Sequence, residues 1–500
     1  MKKGILVALG LAGLIATATA LATTGGKAQV LAAPRPAVGE YQQLTASTTP
    51  PTEAQCFSVG RRCFTPQSMR AAYNVGPLYA AGDNGRGQTI AIIDSFGNDT
   101  MANDLHVFDQ AFGVQPMCGE TGVTCAPGMP TFSELSLQGS PATKQQGNGN
   151  SKGTGLQDKT GWALEVVLDV EWAHAIAPGA NILLVHTPVA ETLGVQGFPQ
   201  MIKAEDYVVK NHLATVISQS LASSENAFGS TASLMNLRYA FVDAAANGVT
   251  VLGSSGDFGS TNEFKQSLTP ADEGAVFPFP NVGWPASDPL VTAVGGTYLC
   301  QDPSNTTSRV DDSKDPPSRC QANPGQTEVG WIDAGGGFSQ VFARPDYQST
   351  LPAGSTAIPG GSRGVPDVSY QASATTGALI YVSLPPQGLS GVACGPNPCS
   401  TGWYVIGGTS AGAPQWAGLV AIADQINGGG LGLINPALYK IGADPARYAN
   451  DFFDVTTGNN QAFPDVPGYP ASTGWDPVTG LGSPNAANLL PDLVSAVHGH

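Results

Sequence analysis

The pattern of apolar and polar positions divides much of the chain into short buried strands and longer helices. Nearly continuous apolar runs, typical of strands covered on both faces, occupy residues 89–94, 181–185, 214–218 and 249–253. Residues 161–176 and 231–246 have helical spacing instead. Strands that alternate with helices predict an α/β fold, with a doubly wound, mainly parallel sheet and helices on both faces. Loop-rich insertions are expected at 259–285, 300–365 and 383–402.

A candidate nucleophile, Ser410, lies between an apolar run at 403–406 and a helical pattern at 415–423. Gly407 and Gly408 precede it, which predicts a tight turn between a strand and a helix with the serine hydroxyl exposed. Backbone N–H groups at such a turn can stabilise an oxyanion. A serine nucleophile also needs a base, usually a histidine. None of the six histidines lies in a glycine-flanked motif of the kind expected for a subtilisin.

Three acidic residues are candidates for the missing base and its partners. Glu165 and Asp169 are four positions apart, so both project from one face of the predicted helix, among apolar neighbours. A solvated acidic stripe is the alternative, but like charges at this spacing repel, and a buried acidic pair is more often functional. Asp257 follows the strand at 249–253, at the end of a parallel strand where ligands bind. Taken alone, Asp257 fits an ordinary turn residue equally well.

Composition and the N-terminal segment indicate export. Charged residues make up only 12% of the chain, the net charge is −16, and no basic block is present, so nucleic acid is not an expected partner. Lys2 and Lys3, an apolar stretch at 4–15 and small residues after it are typical of a signal peptide, which we assign to 1–22. Residues 23–55 are interpreted as a short propeptide or linker, and 56–500 as the folded domain. No later segment predicts a membrane span, so a secreted protein is expected.

The eight cysteines support an oxidising compartment. They lie in four local pairs, which predicts disulfides between sequence neighbours, and no Cys-x-x-Cys spacing supports zinc as the alternative. The pairs are Cys56 with Cys63, Cys118 with Cys125, Cys300 with Cys320, and Cys394 with Cys399.

An ordered set of motifs resembles the sedolisin family, the serine-carboxyl peptidases, which are similar to subtilisins with the histidine replaced. The resemblance extends over roughly residues 64–490. Its motifs include Glu165-x-x-x-Asp169, Ser255-Gly256-Asp257, Val365-Pro366-Asp367, Gly408-Thr409-Ser410 and residues 474–482. A lone Gly-Thr-Ser is a weak signal, whereas this many motifs in the family's order is a specific one.

The resemblance implies a role for each candidate. Ser410 would attack the peptide carbonyl, Glu165 would act as general base and then acid, and Asp169 would orient Glu165. Asp257, kept protonated, would donate to the oxyanion. The implied activity is acid-acting endopeptidase cleavage of proteins or peptides, by a monomer.

The same resemblance implies one structural calcium ion. Its ligands would be the carboxylates of two aspartates and backbone carbonyl oxygens, which suit a hard cation. The ligand residues would be Asp454, Val455, Ser472, Gly474 and Asp476. Without the resemblance, a turn cluster of polar residues is the simpler interpretation.

Two other functions remain open from the sequence. One is a neutral hydrolase, of the esterase or subtilisin type, in which a histidine distant in sequence activates Ser410. The other is a secreted binding or scaffold protein on an inactive peptidase fold, although such a protein would have no need for a costly acidic pair.

Overall fold

The computed structural model describes residues 41–137, 154–188, 197–265, 275–300, 326–384 and 400–499. The expected signal peptide at 1–22, the first part of the expected linker and the cysteines Cys320, Cys394 and Cys399 lie outside these ranges. In the described ranges, no helix combines the length and apolar character needed to cross a membrane.

Strands and helices alternate through most of the described chain, as the apolar pattern predicts. The strands are β1 Tyr41–Thr45, β2 Arg62–Phe64, β3 Thr89–Ser95, β4 Phe132–Ser136, β5 Asn181–Thr187, β6 Val216–Gln219, β7 Ser223–Ser224, β8 Thr250–Ser254, β9 Glu263–Lys265, β10 Ala275–Val276, β11 Gly283–Trp284, β12 Thr292–Leu299, β13 Glu328–Gly330, β14 Gly337–Ala343, β15 Ser362–Val365, β16 Val368–Gln371, β17 Thr376–Val382, β18 Gly402–Ile406, β19 Phe452–Phe453 and β20 Ser483–Pro484. The helices are α1 Glu53–Ser58, α2 Pro66–Ala72, α3 Gly76–Ala81, α4 Met101–Phe112, α5 Thr154–Ile176, α6 Gly197–Lys210, α7 Thr231–Met235, α8 Tyr239–Ala246, α9 Gly412–Asn427, α10 Asn435–Ala443, α11 Pro445–Asp451 and α12 Ala486–Val497.

The main sheet confirms the predicted parallel architecture. Its strand order is β13-β12-β8-β6-β3-β5-β4, with β16 also paired to β12. Neighbouring strands are parallel except for β12 and β13. Strand β3 packs on both faces: Ile90 and Ile92 join one core cluster with α5 and α9, whereas Ala91 and Ile93 join another with α6 and α8. The apolar run of β3 is continuous because both of its faces are buried.

A second, smaller sheet holds the strand that leads to Ser410. Strand β18 pairs antiparallel with β1 and with β17, and β17 pairs parallel with β2. Tyr41–Thr45 is part of this sheet, because its backbone pairs with β18 from Tyr41 opposite Ile406 onward. The expected boundary at residue 56, with a short propeptide or linker at 23–55, stays a prediction.

The single helix expected over 231–246 is wrong, because the chain forms two helices there. Helix α7 ends at Met235, followed by Asn236 at its C-terminal cap. Helix α8 begins at Tyr239. Between the two helices the chain turns, and Arg238 pairs with Asp288 through two hydrogen bonds, Nε to Oδ2 at 2.5 Å and Nη2 to Oδ1 at 2.9 Å.

The described disulfides agree with local pairing. Cys56 is bonded to Cys63 and Cys118 to Cys125. Cys300 is also disulfide-bonded. The remaining two expected pairs involve cysteines outside the described residues, so those pairings stay predictions.

Candidate active site

The turn around Ser410 depends on two glycines. Strand β18 ends at Ile406, and a side chain at Gly407 would collide with the backbone of Ala372 and Ala374. Gly408 has φ +118°, a backbone conformation that a side chain would strain. A single 3-10 turn, Thr409–Ala411, then carries Ser410 into α9. The predicted strand, turn and helix are therefore all present.

The expected exposure of Ser410 is wrong. The residue has no accessible surface, because its turn lies against α5 on one side and the ends of the sheet strands on the other. Within the described chain, its Oγ has no hydrogen-bond partner of ordinary geometry. Ser410 is thus a buried hydroxyl on a rigid turn.

Close packing of α5 against α9 brings the acidic pair to Ser410. A Cβ added at Gly418 of α9 would lie 2.8 Å from Cβ of Ile176 on α5, so only glycine permits this approach. Glu165 and Asp169 lie on the face of α5 that this packing covers, and both are fully buried, as predicted. Their carboxyl oxygens have no hydrogen-bond partner of ordinary geometry among the described residues.

Burial and mutual repulsion hold this pair toward the neutral form. Burial raises the pKa of Glu165 well above its ordinary value, and the charges of Asp169 and Asp94 raise it further. The nearby Ser410 hydroxyl lowers the pKa of Glu165 by favouring the carboxylate. Burial, then the charge of Asp94, raises the pKa of Asp169, which the Ser220 hydroxyl lowers in turn. These carboxyls interact strongly, so they titrate as one unit.

Asp94 is a site residue that the sequence reasoning did not identify as functional. It lies near the end of β3, has no accessible surface, and neither of its oxygens has a hydrogen-bond partner in the described chain. Burial raises its pKa to about 8. An acid near the carboxyl end of an otherwise apolar strand was the available signal, since ligands bind at that edge of a parallel sheet.

Asp257 is hydrogen-bonded to the turn that carries Ser410. Its Oδ1 accepts hydrogen bonds from the N–H of Thr409 at 2.8 Å and from Oγ1 of Thr409 at 2.9 Å. Its Oδ2 is buried and has no partner in the described chain. Burial raises the pKa of Asp257 to about 8, and the two bonds from Thr409 partly oppose that shift. Because Oδ1 accepts both bonds, the proton of the neutral acid belongs on Oδ2, where it is free to donate.

The described histidines do not take the place of a base. Ser410 Oγ forms no hydrogen bond with any of them, and four of the five have identified polar partners elsewhere. The pairs are His106 with Glu120, His174 with Gln115 and Asp109, His186 with Glu134, and His498 with Asn427. His212 lies at the opposite end of the strands, beside the first residues of β3 and β8, where it lines a cavity of about 310 Å³. The acids are therefore the available bases near Ser410 in the described chain.

The expected calcium ligands lie on two loops, one with Asp454 and Val455 and one at 472–476, which hydrogen bonds join. The N–H of Gly474 donates to both carboxyl oxygens of Asp454, at 3.1 and 3.0 Å. The N–H of Ser472 donates to Oδ2 of Asp476 at 2.9 Å. Burial raises the pKa of Asp454, and it raises that of Asp476 to about 7.

This donor set is compatible with a hard cation. A divalent ion would stabilise two partly or fully buried carboxylates, and the carbonyls of Val455 and the 472–474 loop would add oxygen ligands. The described part of the chain has no metal-binding cluster of three or more acidic, histidine or cysteine side chains. A calcium site between these two loops would therefore depend on backbone carbonyls for most of its ligands.

Comparisons with known proteins give consistent matches over most of the chain. It is 31% identical over 468 residues to kumamolisin from Bacillus sp. (strain MN-32), covering 92% of this chain and 69% of kumamolisin. It is 32% identical over 355 residues to sedolisin from Pseudomonas sp. (strain 101), covering 70% of this chain and 52% of sedolisin. The structure of Pseudomonas sedolisin, a serine-carboxyl proteinase complexed with two molecules of pseudo-iodotyrostatin, matches with a TM-score of 0.60 and 26% identity, covering 86% of this chain and 98% of that one. No protein-family model matches the chain.

Proposed function

Because the chain belongs to the sedolisin family of serine-carboxyl peptidases, we propose that it is a secreted endopeptidase that cleaves proteins or peptides at acid pH through Ser410. The observation that carries this proposal is the buried acidic pair beside a serine to which no described histidine is hydrogen-bonded. A pair of unpartnered buried carboxyls costs folding free energy, and such a cost is typical of a functional site.

In the proposed reaction, Ser410 attacks the carbonyl carbon of the scissile peptide bond. Its proton passes to Glu165 as the new C–O bond forms, and Glu165 returns that proton to the leaving amine as the C–N bond breaks. Water then attacks the acyl-enzyme and gives a proton to Glu165, which returns it to Ser410 Oγ as the ester bond breaks. Asp169 positions Glu165, and Asp94, whose charge acts on both, belongs to the same proton-sharing unit.

Asp257 is proposed to stabilise the oxyanion. With its proton on Oδ2, the neutral carboxyl donates to the developing negative charge beside the N–H of Ser410. Thr409 supports this role, since its two bonds to Oδ1 fix the orientation of the carboxyl. The Gly256 N–H donates to Oγ1 of Thr409 at 3.0 Å, and this bond positions the hydroxyl that donates to Asp257.

The protonation states set the proposed pH range. The unit of Glu165, Asp169 and Asp94 must have lost one proton before Glu165 can accept another. This first proton leaves at lower pH than the later ones, because no neighbouring carboxylate yet repels the charge that forms. Asp257 must remain neutral, and its pKa of about 8 means that it does so throughout the acid range. Activity should therefore fall at low pH as the unit fills with protons, and at high pH as Asp257 ionises.

A calcium ion at the 454–476 loops is proposed to stabilise this part of the fold. Asp454 and Asp476 would supply carboxylates, and Val455, Ser472 and Gly474 would supply backbone carbonyls. When bound, the ion would neutralise the two buried charges and crosslink the two loops. It has no proposed part in the chemical step.

Hydrolysis of casein between pH 2 and 8 tests the proposed function. The wild type is expected to be active on the acid side, Ser410→Ala inactive, and Glu165→Ala nearly so, with unchanged far-UV circular dichroism for each variant. A Ser-His hydrolase would instead gain activity toward neutral pH and tolerate Glu165→Ala. A wild type without activity at any pH would point to a non-catalytic protein.

A further inference from the structure

Asn460 is a buried residue that no step of the proposed reaction uses. It lies between β19 and β20 in the chain and has no accessible surface. Its Nδ2 donates to the carbonyl oxygens of Ala334 and Gly336, at 3.1 and 3.3 Å. Its Oδ1 accepts from the N–H of Tyr469 at 2.8 Å. Both ends of the amide therefore have partners, and because a carbonyl can only accept, these bonds give the amide one fixed orientation.

The backbone of Asn460 anchors the segment that follows Asp257. The N–H of Ser260 donates to the carbonyl oxygen of Asn460 at 2.9 Å. Gly259 lies against the same oxygen, since a Cβ added at Gly259 would be only 2.5 Å from it, and its φ of +62° also favours glycine. Ser260 Oγ donates to the carbonyl oxygen of Pro467 at 2.8 Å. The chain is thus anchored three residues after Asp257.

The side chain of Asn460 anchors the segment before Asp257, through Gly335. The two carbonyls that the amide binds belong to the residues on either side of Gly335. The N–H of Gly335 donates to the carbonyl oxygen of Gly256, the residue before Asp257, at 2.7 Å. A Cβ added at Gly335 would lie 2.2 Å from the carbonyl oxygen of Ser255, so the two backbones are in closed contact. The chain is therefore anchored on this side of Asp257 as well.

Asp257 lies between these two anchors, and its carboxyl is bonded to Thr409 on the turn that carries Ser410. The bonds from Thr409 orient the carboxyl only if the backbone of Asp257 stays in place. An oxyanion donor must be held within about 0.5 Å of its productive position to be effective. The segment that Asn460 binds also favours the neutral acid, because the charge of Asp333 adds to burial in raising the pKa of Asp257.

We propose that Asn460 is a positioning residue for the reaction: it fixes the backbone on both sides of Asp257 and so holds the Asp257 carboxyl where the oxyanion forms. This inference rests on the proposed peptidase function. The oxyanion exists only after attack, so loss of Asn460 should lower kcat and leave KM nearly unchanged. A loosened segment would also admit water to Asp257. Its pKa, which burial raises, should then fall, and the alkaline decline of activity should move to lower pH.

A double-mutant cycle with Asp257→Ala tests the inference, by kcat and KM for one peptide that the wild type cleaves. Asn460→Ala alone should lower kcat by roughly 10- to 100-fold, up to the loss that a misplacement of about 1 Å can cause. In the Asp257→Ala background it should cost less than about 3-fold, because the carboxyl to be positioned is gone. A residue that only stabilises the fold would cause equal losses in both backgrounds.

Asn459→Ala is the matched control. Asn459 is the neighbouring residue of the same loop, but it is partly exposed, and its Oδ1 accepts from the N–H of Gln461 within that loop. This variant should keep kcat within about twofold of its parent in both backgrounds. It therefore separates a general disturbance of the loop from the loss of the contacts that reach Asp257.

Asn460→Asp keeps the shape of the side chain and guards against misfolding of Asn460→Ala. While protonated, the new carboxyl can donate one hydrogen bond and still accept from Tyr469. Once ionised, it donates none and faces two carbonyl oxygens. The ratio of wild-type to variant kcat should therefore rise by about 10-fold or more between pH 3 and pH 7, whereas Asn459→Asp should keep a constant ratio. Circular dichroism at each pH checks that both variants stay folded.

The possible failures are distinguishable. Equal losses in the two backgrounds, or a folded Asn460→Ala with kcat and alkaline decline like those of the wild type, would overturn the positioning role and leave the peptidase function intact. If Asn460→Ala does not fold, or Asp257→Ala has no measurable activity, a constant ratio for Asn460→Asp would overturn it. A wild type that cleaves no peptide would overturn both.

Discussion

Two buried acidic regions of this molecule differ in how their charge is satisfied. Asp367 is fully buried and accepts from Nη1 and Nη2 of Arg363, at 2.7 and 2.5 Å. Tyr439 Oη and the N–H of Ala293 add further bonds at 2.9 and 2.8 Å. Glu165 and Asp169 are buried to the same degree, with no cation and no hydrogen bond of ordinary geometry in the described chain.

The difference distinguishes a structural acid from a candidate catalytic one. Arg363 and its neighbours satisfy Asp367, which joins β15, β16 and α10 in one arrangement. The Asp94, Glu165 and Asp169 unit is held near neutrality by burial and repulsion, so its proton affinity is high and available for chemistry. Burial alone would have ranked the two regions equally. The hydrogen-bond partners separate them.

The largest expected effect is the loss of activity in Glu165→Gln. An amide cannot accept the Ser410 proton, so kcat should fall by about 10²–10⁴-fold, the usual contribution of a general base. Initial rates of casein hydrolysis would measure the loss. Glu205→Gln is the matched control, because Glu205 is also buried and unpartnered in the described chain but lies on α6, across the sheet. Similar losses in both variants would contradict the assignment of Glu165.

Glu165→Gln should also be more stable than the wild type at neutral pH. The pKa of Glu165 is raised in the folded state, so unfolding releases its proton above about pH 4. In the wild type, Glu165 therefore lowers the free energy of unfolding as pH rises from about 4 toward the pKa that this acid has in the folded state. Glutamine does not ionise, so Glu165→Gln avoids that loss of stability. Thermal unfolding of both proteins at pH 4 and pH 7 would show it. A variant that is less stable at pH 7 would indicate that Glu165 has a structural partner.

The opposite result is expected when the satisfied region is broken. Asp367→Asn leaves the buried Arg363 charge without its partner, which should cost about 3–5 kcal/mol of unfolding free energy. Urea denaturation at pH 5 would measure the loss, with Asp243→Asn as a control at a partly exposed acid. A loss below about 1 kcal/mol, the range of a surface ion pair, would remove the contrast between the two regions.

A third acidic region, Asp454 with Asp476, should respond to calcium. If the ion binds there, calcium at one hundred times its dissociation constant should stabilise the fold by about 2.7 kcal/mol. Thermal unfolding with chelator and with added calcium would measure this, and Asp476→Asn should reduce the difference. Magnesium is the control ion, since its small octahedral shell suits a site of backbone carbonyls poorly. Equal melting temperatures with chelator and calcium would contradict the site.

The smallest change in rate is expected for Asp257→Asn. The amide keeps an acceptor for Thr409 at Oδ1 and places a donor at the other position, so kcat/KM should stay within about tenfold of wild type. The decline of activity as pH rises through about 8, assigned to Asp257, should disappear in the variant. Rate profiles between pH 3 and 9 would test this. An unchanged decline at alkaline pH would assign that ionisation to another group. Asp257→Ala has no donor at this position, so its kcat should fall by about 10²–10³-fold.

The sequence by itself determined the fold class and most of the candidate site. Continuous apolar runs alternating with helical spacing were enough for the parallel sheet, because burial on both faces requires such runs. The spacing of Glu165 and Asp169 was enough to assign them to one buried helix face, and the glycines before Ser410 were enough for its turn. Those features are local, so they can be read along the chain.

Only the tertiary structure decided what surrounds these groups. The burial of Ser410 depends on α5 and α9 meeting at Gly418, and Asp94 joins the acids because β3 ends beside α5. The proton position on Asp257 depends on Thr409, which lies 152 residues away in the chain. Tyr41–Thr45 belongs to the fold only through its pairing with β18. Each of these facts is a contact between distant segments, which local patterns do not contain.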